Sequence, residues 1–179
     1  TPELRASLSQ GEMEGEPYRE MVRQLGRDGM LGISWPKEYG GQGRDLLDQY
    51  IFFDESQRAA VPIPFLTLNT VGPTLMKFGT QQQKDFFLTK ILAGELHFSI
   101  GYSEPGAGTD LASLRTTAVR DGDHYVINGQ KMWTSIIHQA DYVWLACRTD
   151  PDAKRHKGLS MIIVPTDSEG FSYTKVHTI

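Results

Sequence analysis

Thr116-Thr117-Ala118-Val119-Arg120-Asp121-Gly122-Asp123-His124-Tyr125-Val126-Ile127-Asn128-Gly129-Gln130-Lys131-Met132-Trp133 is a β-prone run interrupted twice by a dipeptide that favours tight turns. Thr116 to Arg120 and His124 to Ile127 flank Asp121-Gly122, and Asn128-Gly129 then precedes Lys131-Met132-Trp133. Asp-Gly and Asn-Gly supply the positive φ angles of two-residue loops, so the spacing predicts two consecutive hairpins. Downstream, Tyr142 to Arg148, Leu159 to Val164 and Phe171 to Val176 read as three further strands, separated by the polar stretch Asp150 to Lys157 and by Asp167-Ser168-Glu169-Gly170. Six or more short strands within about 80 residues predict an antiparallel barrel or sandwich.

Upstream the period changes from two to 3.6. After Pro17, the residues Tyr18, Met21, Val22 and Leu25 lie on one helical face, and Gly29 and Gly32 end that helix. Leu47, Tyr50, Ile51 and Phe53 predict a second helix to about Ala60, and Pro62 and Pro64 reset the chain. A third covers Phe65 to Phe78, kinked or split at Gly72-Pro73. In the fourth, Thr80 and Gln83 form a capping box, Phe86, Phe87 and Ile91 supply the buried face, and Gly94 suits a left-handed stop. The fold class is therefore α+β: an all-helical domain over residues 1–96 followed by an antiparallel β-barrel over 97–179, with the change of period between Gly94 and His97.

The composition excludes several classes. Eighteen basic against 22 acidic residues give a formal charge of −4 over 179 residues, and of the basic residues only Lys154, Arg155 and Lys157 cluster, which argues against a nucleic-acid surface. No apolar stretch reaches the roughly 18 residues needed to span a bilayer. The one cysteine, Cys147, lies inside an apolar run and has no partner for an internal disulfide, which fits a reducing compartment and a cytoplasmic location. No metal is expected. The chain opens on Thr1 and stops at Ile179 within a strand-like run, so it reads as a piece of a longer protein.

Two segments carry chemistry. Phe98-Ser99-Ile100-Gly101-Tyr102-Ser103-Glu104-Pro105-Gly106-Ala107-Gly108-Thr109-Asp110 begins as a strand and ends in a loop of small residues whose backbone N–H groups can donate to a diphosphate. Many such loops are only turns. In Gly129-Gln130-Lys131-Met132-Trp133-Thr134-Ser135, Trp133 offers a flat ring and Ser135 a hydroxyl two residues on, where a strand would place both on one face. A flavin needs an apolar wall and a donor to its redox-active nitrogen. The competing reading makes Trp133 a core or barrel-mouth residue.

Ser103-Glu104-Pro105-Gly106-Ala107-Gly108-Thr109-Asp110 resembles the first signature of acyl-CoA dehydrogenases, and Asn128-Gly129-Gln130-Lys131-Met132-Trp133-Thr134-Ser135 resembles the second. Trp35-Pro36-Lys37-Glu38-Tyr39-Gly40-Gly41 and Phe78-Gly79-Thr80-Gln81-Gln82-Gln83-Lys84 are also similar to stretches of that family, so the resemblance runs from Tyr18 to Val176. It implies a helical first domain, a flavin-binding middle β-barrel and a third, helical domain absent from residues 1–179. FAD would lie between the barrel and that third domain, completed by a neighbouring subunit in a homo- or hetero-tetramer, so this chain alone would hold FAD weakly and be inactive. The resemblance implies that Ile100, Tyr102 and Ser103 line the flavin, that Gly108 and Thr109 lie near its diphosphate with Thr109 also touching the thioester substrate, that Trp133 and Thr134 pack against it, and that Ser135 bonds near N5. Glu104 is read as an anchor of the strand-to-loop turn rather than as a base.

The activity implied is α,β-dehydrogenation of an acyl-CoA to the trans-2-enoyl-CoA, with electron-transfer flavoprotein as acceptor and the catalytic glutamate beyond Ile179. The wording of the flavin loop and of Leu159 to Val164 resembles actinobacterial enzymes that shorten steroid side chains. A non-catalytic partner subunit and a flavin monooxygenase of the same fold are the alternatives. Two departures stand out: Tyr102 replaces a small aliphatic residue at the flavin edge, and Ile136-Ile137-His138 follows Ser135 where Asn and Gly are commoner.

Overall fold

The computed structural model describes residues 15–176, so positions 1–14 and 177–179 of the two expected domains lie outside the described residues. The chain divides into two compact units, one running to His97 and the other starting at Phe98.

The first unit is helical. Helix α1 (Gly15–Arg27) buries Tyr18 and Val22, and a 3-10 turn follows at Met30–Gly32 with Gly29 at φ 71. Helix α2 (Leu46–Arg58) is capped by Asp45, whose carboxylate accepts the Asp48 amide. Much of its expected apolar face is not buried: Leu46, Leu47, Tyr50 and Ile51 are each half or more exposed, while Phe53 is half-buried against Phe65. Helix α3 (65–78) contains a π turn, Thr67–Val71, followed by Gly72–Phe78. In that turn the Gly72 amide reaches back to the Thr67 carbonyl. The Leu68 carbonyl is then left facing Pro73, which has no N–H, and the buried Trp35 indole donates to it at 3.1 Å. The Gly72-Pro73 break is thus absorbed by a widened turn closed by a tryptophan. Helix α4 (81–92) starts on the Thr80/Gln83 capping box, with both reciprocal bonds formed, includes a π turn at Lys84–Leu88, and is followed by Gly94 at φ 72. Tyr18, Val22, Trp35, Leu68, Val71, Leu88 and Ile91 form the core.

The second unit holds one five-stranded sheet of β1 (Phe98–Gly101), β2 (Thr117–Asp121), β3 (His124–Asn128), β4 (Tyr142–Arg148) and β5 (Leu159–Pro165). The sheet is mixed and open, which corrects the antiparallel barrel: β1 and β2 pair with β4 in parallel, while β2–β3 and β4–β5 are antiparallel. Because β5 pairs with β4 along its whole length, β1 and β2 share the other edge end to end, β1 against Tyr142 to Leu145 and Thr117 against Arg148. Strand β4 is central and buried on both faces. Val143, Leu145 and Cys147 join Ala118 on one side, with Ile127, Ile137, Ile162, Val164 and Phe171 around them; Ala146 joins Ala107 and Leu114 on the other. Burial pushes the Cys147 thiol up in pKa, so it stays protonated.

Two further expectations fail. The Asp121-Gly122 hairpin forms, with Gly122 at φ 59 and Asp121 opposite His124, but the one at Asn128-Gly129 does not. Gly129 packs so closely on Thr116 that a Cβ would stand 2.3 Å from its hydroxyl oxygen, and the chain leaves the sheet there. Lys131 to Ser135 is consequently not a strand. Phe171 to Val176 is irregular as well: Phe171 is held by the core rather than by a ladder.

Candidate functional site

Although Lys131 to Ser135 is not a strand, it runs antiparallel beside the end of β1 and the start of the small-residue loop. The Met132 amide donates to the Ser103 carbonyl at 2.8 Å, and the Ser99 hydroxyl donates to the Ser135 carbonyl at 2.7 Å. The Lys131 ammonium donates to the Tyr102 carbonyl and to Glu104 Oε1, both at 2.9 Å. Ile100, Tyr102 and Ser103 are thereby brought beside Trp133, Thr134 and Ser135. Gly101 makes room for this crossing, since a Cβ there would stand 2.9 Å from Val143 and 3.5 Å from the Lys131 stem.

Trp133 is 67% exposed with φ 58, which removes the core reading of its ring. Both other tryptophans, Trp35 and Trp144, are buried. Ile136 also has a left-handed backbone, φ 59, a conformation that Asn and Gly adopt more cheaply than a β-branched residue. The departure from the family pattern at this position therefore falls on a strained residue. Ile137 follows it into the core cluster.

The small-residue loop is held from below. Glu104 and Ala107 exchange backbone hydrogen bonds, Glu104 N to Ala107 O at 2.7 Å and Ala107 N to Glu104 O at 3.1 Å, and the Ala107 methyl is buried. Gly106 and Gly108 face open space, where an added Cβ would meet nothing within 4 Å. Among the described residues no hydrogen bond engages the amides of Gly106, Gly108 or Thr109. Gly108 and Thr109 are exposed, and no hydrogen bond ties them to Trp133 or Ser135. A cavity of about 320 Å³ beside the loop is lined by Glu104, Pro105, Gly106, Arg115, Thr116, Gly129 and Gln130, and so shares with the candidate flavin edge only Gly106 of the small-residue loop.

Glu104 is the anchor expected of it. Its carboxylate accepts from the Arg115 amide at 2.7 Å, the Thr116 amide at 2.9 Å, the Thr116 hydroxyl at 2.6 Å and Lys131. Burial alone would push this carboxyl up in pKa, but the Thr116 hydroxyl, the Lys131 ammonium and the two amides outweigh it and hold it at about 2. A carboxylate so satisfied is a poor base. The residue whose role the sequence reading missed is Lys131. Its signal was a single cation two positions before Trp133 in a segment otherwise free of charge.

The acyl-CoA dehydrogenase N-terminal domain matches residues 2–95 and the acyl-CoA dehydrogenase middle domain matches residues 99–179. The chain is 65% identical to acyl-CoA dehydrogenase FadE26 of Mycobacterium tuberculosis, across 100% of this chain and 46% of that protein. Among solved structures it superposes on the ChsE4-ChsE5 complex from Mycobacterium tuberculosis with a TM-score of 0.94 at 65% identity, covering 100% of this chain and 45% of that one. It superposes on the Tcur3481-Tcur3483 steroid ACAD with a TM-score of 0.91 at 58% identity, covering 99% of this chain and 50% of that one. The chain thus spans about half the length of the relatives it matches, and its two units correspond to two of that family's domains; it belongs to the acyl-CoA dehydrogenase family.

Proposed function

We propose that the protein to which this chain belongs carries out FAD-dependent α,β-dehydrogenation of an acyl-CoA thioester, giving the trans-2-enoyl-CoA and passing electrons to an electron-transfer flavoprotein. The observation that carries the reading is the pairing of residues 99–104 with residues 131–135, which sets an exposed indole beside two serines where the chain enters a loop with open amides. These residues fit a flavin: Trp133 gives an aromatic face, Ser103 and Ser135 give donors, and Gly106 and Gly108 let phosphate oxygens approach the backbone. Bound there, FAD would accept the β-hydrogen as hydride. Thr134 and Ile100 would flank the ring, Thr109 would stand near the diphosphate and the thioester, and Tyr102 would narrow the ring's edge. Glu104 is not proposed as the base, because four donors hold it as a carboxylate.

A steroid-derived acyl group is the proposed substrate class, supported by the likeness to the Tcur3481-Tcur3483 steroid ACAD. Two structural relatives are two-protein complexes, which supports a hetero-oligomer and gives the second reading its footing: a subunit that supplies part of a flavin pocket without itself catalysing. Anaerobic mixing of the full-length protein, purified as the complex it forms in its host, with steroid-side-chain and straight-chain acyl-CoA thioesters tests both. Bleaching of the flavin band by the steroid thioester supports the dehydrogenase. A flavin-loaded complex that no thioester bleaches would sink it, and bleaching abolished only by substitutions in the other subunit would favour the non-catalytic reading.

A further inference from the structure

We infer that the Lys131–Glu104 ion pair is a clasp that positions the flavin-facing edge, holding the Trp133–Ser135 turn against the Tyr102-Ser103 backbone. The inference rests on the flavin reading above. Lys131 is the one side chain in these two segments that bonds to both Tyr102 and Glu104, at 2.9 Å each, and the pair is nearly closed to water, with the two side chains 10% and 7% exposed. A charge-assisted bond in such a setting resists exchange with solvent. What it restrains is a turn strained at two positions. Trp133 and Ile136 both have positive φ without being glycine, and conformations of that kind persist only where the surroundings fix them. Lys131 fixes the entrance to the turn, the Ser99 hydroxyl its middle, and the packing of half-buried Ile137 against the core its exit.

The clasp separates from the fold, which makes it testable. Removing the ammonium leaves Glu104 with three donors from Arg115 and Thr116, so the loop anchor survives. In Lys131→Met the stem still packs beside Gly101 while the link across to Glu104 and Tyr102 is lost. Thr116→Val is the control: it deletes a donor to the same carboxylate oxygen that Lys131 bonds, Oε1, but leaves the ammonium and its bond to the Tyr102 carbonyl in place. FAD release is followed by the fluorescence of freed flavin after dilution of the full-length complex, well below melting, with far-UV circular dichroism recorded in parallel. Lys131→Met is expected to release FAD about tenfold faster with secondary structure unchanged, as loss of one charge-assisted bond implies, while Thr116→Val lowers the melting temperature but keeps the wild-type release rate. Wild-type release from Lys131→Met, release that rises only as the variant unfolds, or equal acceleration in Thr116→Val would each overturn the clasp. A wild-type complex that takes up no FAD would overturn the flavin reading and the clasp with it.

Discussion

Trp133 shows what a sequence reveals about one residue and what it hides. The value of a flat ring two positions from a serine was legible, because it depends on residue type alone. The left-handed backbone was not, since nothing marks an indole at φ 58 except the bonds that neighbouring residues make. With two thirds of its surface in water, Trp133 has little packing to lose, so Trp133→Ala should change unfolding free energy by less than about 1 kcal/mol. A core tryptophan would cost about 3–5 kcal/mol. Ile136→Asn should go the other way and stabilise by about 1 kcal/mol, by relieving a β-branched residue at φ 59; a lowered midpoint in urea would contradict that. Glu104 gives the pH dependence. Its folded carboxyl is held below the ordinary carboxylate range, so its contribution is fully present above about pH 4.5 and is lost as pH falls toward about 2. Glu104→Gln should therefore be less stable than wild type at neutral pH, with a gap that narrows across that acid window in pH-dependent melts.

At the scale of elements, success and failure follow one rule: local signals were read correctly where local forces decide. The capping box at Thr80 and Gln83, the stop at Gly94 and the Asp121-Gly122 turn all came out as their chemistry requires. The Asn128-Gly129 hairpin carried the same kind of signal and failed because of Thr116, twelve or more residues earlier, against which Gly129 packs. The parallel partners of β4 were equally hidden, since strand periodicity says which residues extend but not which neighbour they join. Helix α3 is the intermediate case. Gly72-Pro73 announced a break, but its form depends on Trp35, whose ring lies where a Gly72 Cβ would stand, 2.1 Å from the nearest ring carbon. Gly72→Ala should cost about 1–3 kcal/mol in chemical denaturation, as overpacking does, and a neutral result would refute this account of the turn.

For the molecule as a whole, helices first and strands second was legible, because the change of hydrophobic period needs no knowledge of contacts. The closure of the sheet was not, and the strands remain an open, mixed sheet around β4. Among the described residues no helix is long and apolar enough to cross a membrane. The candidate flavin edge is likewise open: apart from Gly106, its residues lie on a surface and not in the neighbouring cavity, as suits a chain that spans about half the length of its relatives. The central claim is that this edge is one wall made of two sequence segments, and the flavin content of full-length Trp133→Ala, purified as the native complex and assayed well below its melting temperature, tests it most directly. The account predicts a folded variant with a wild-type melt that has lost most of its flavin; a Trp133→Ala complex that keeps the wild-type flavin content until it unfolds would contradict it.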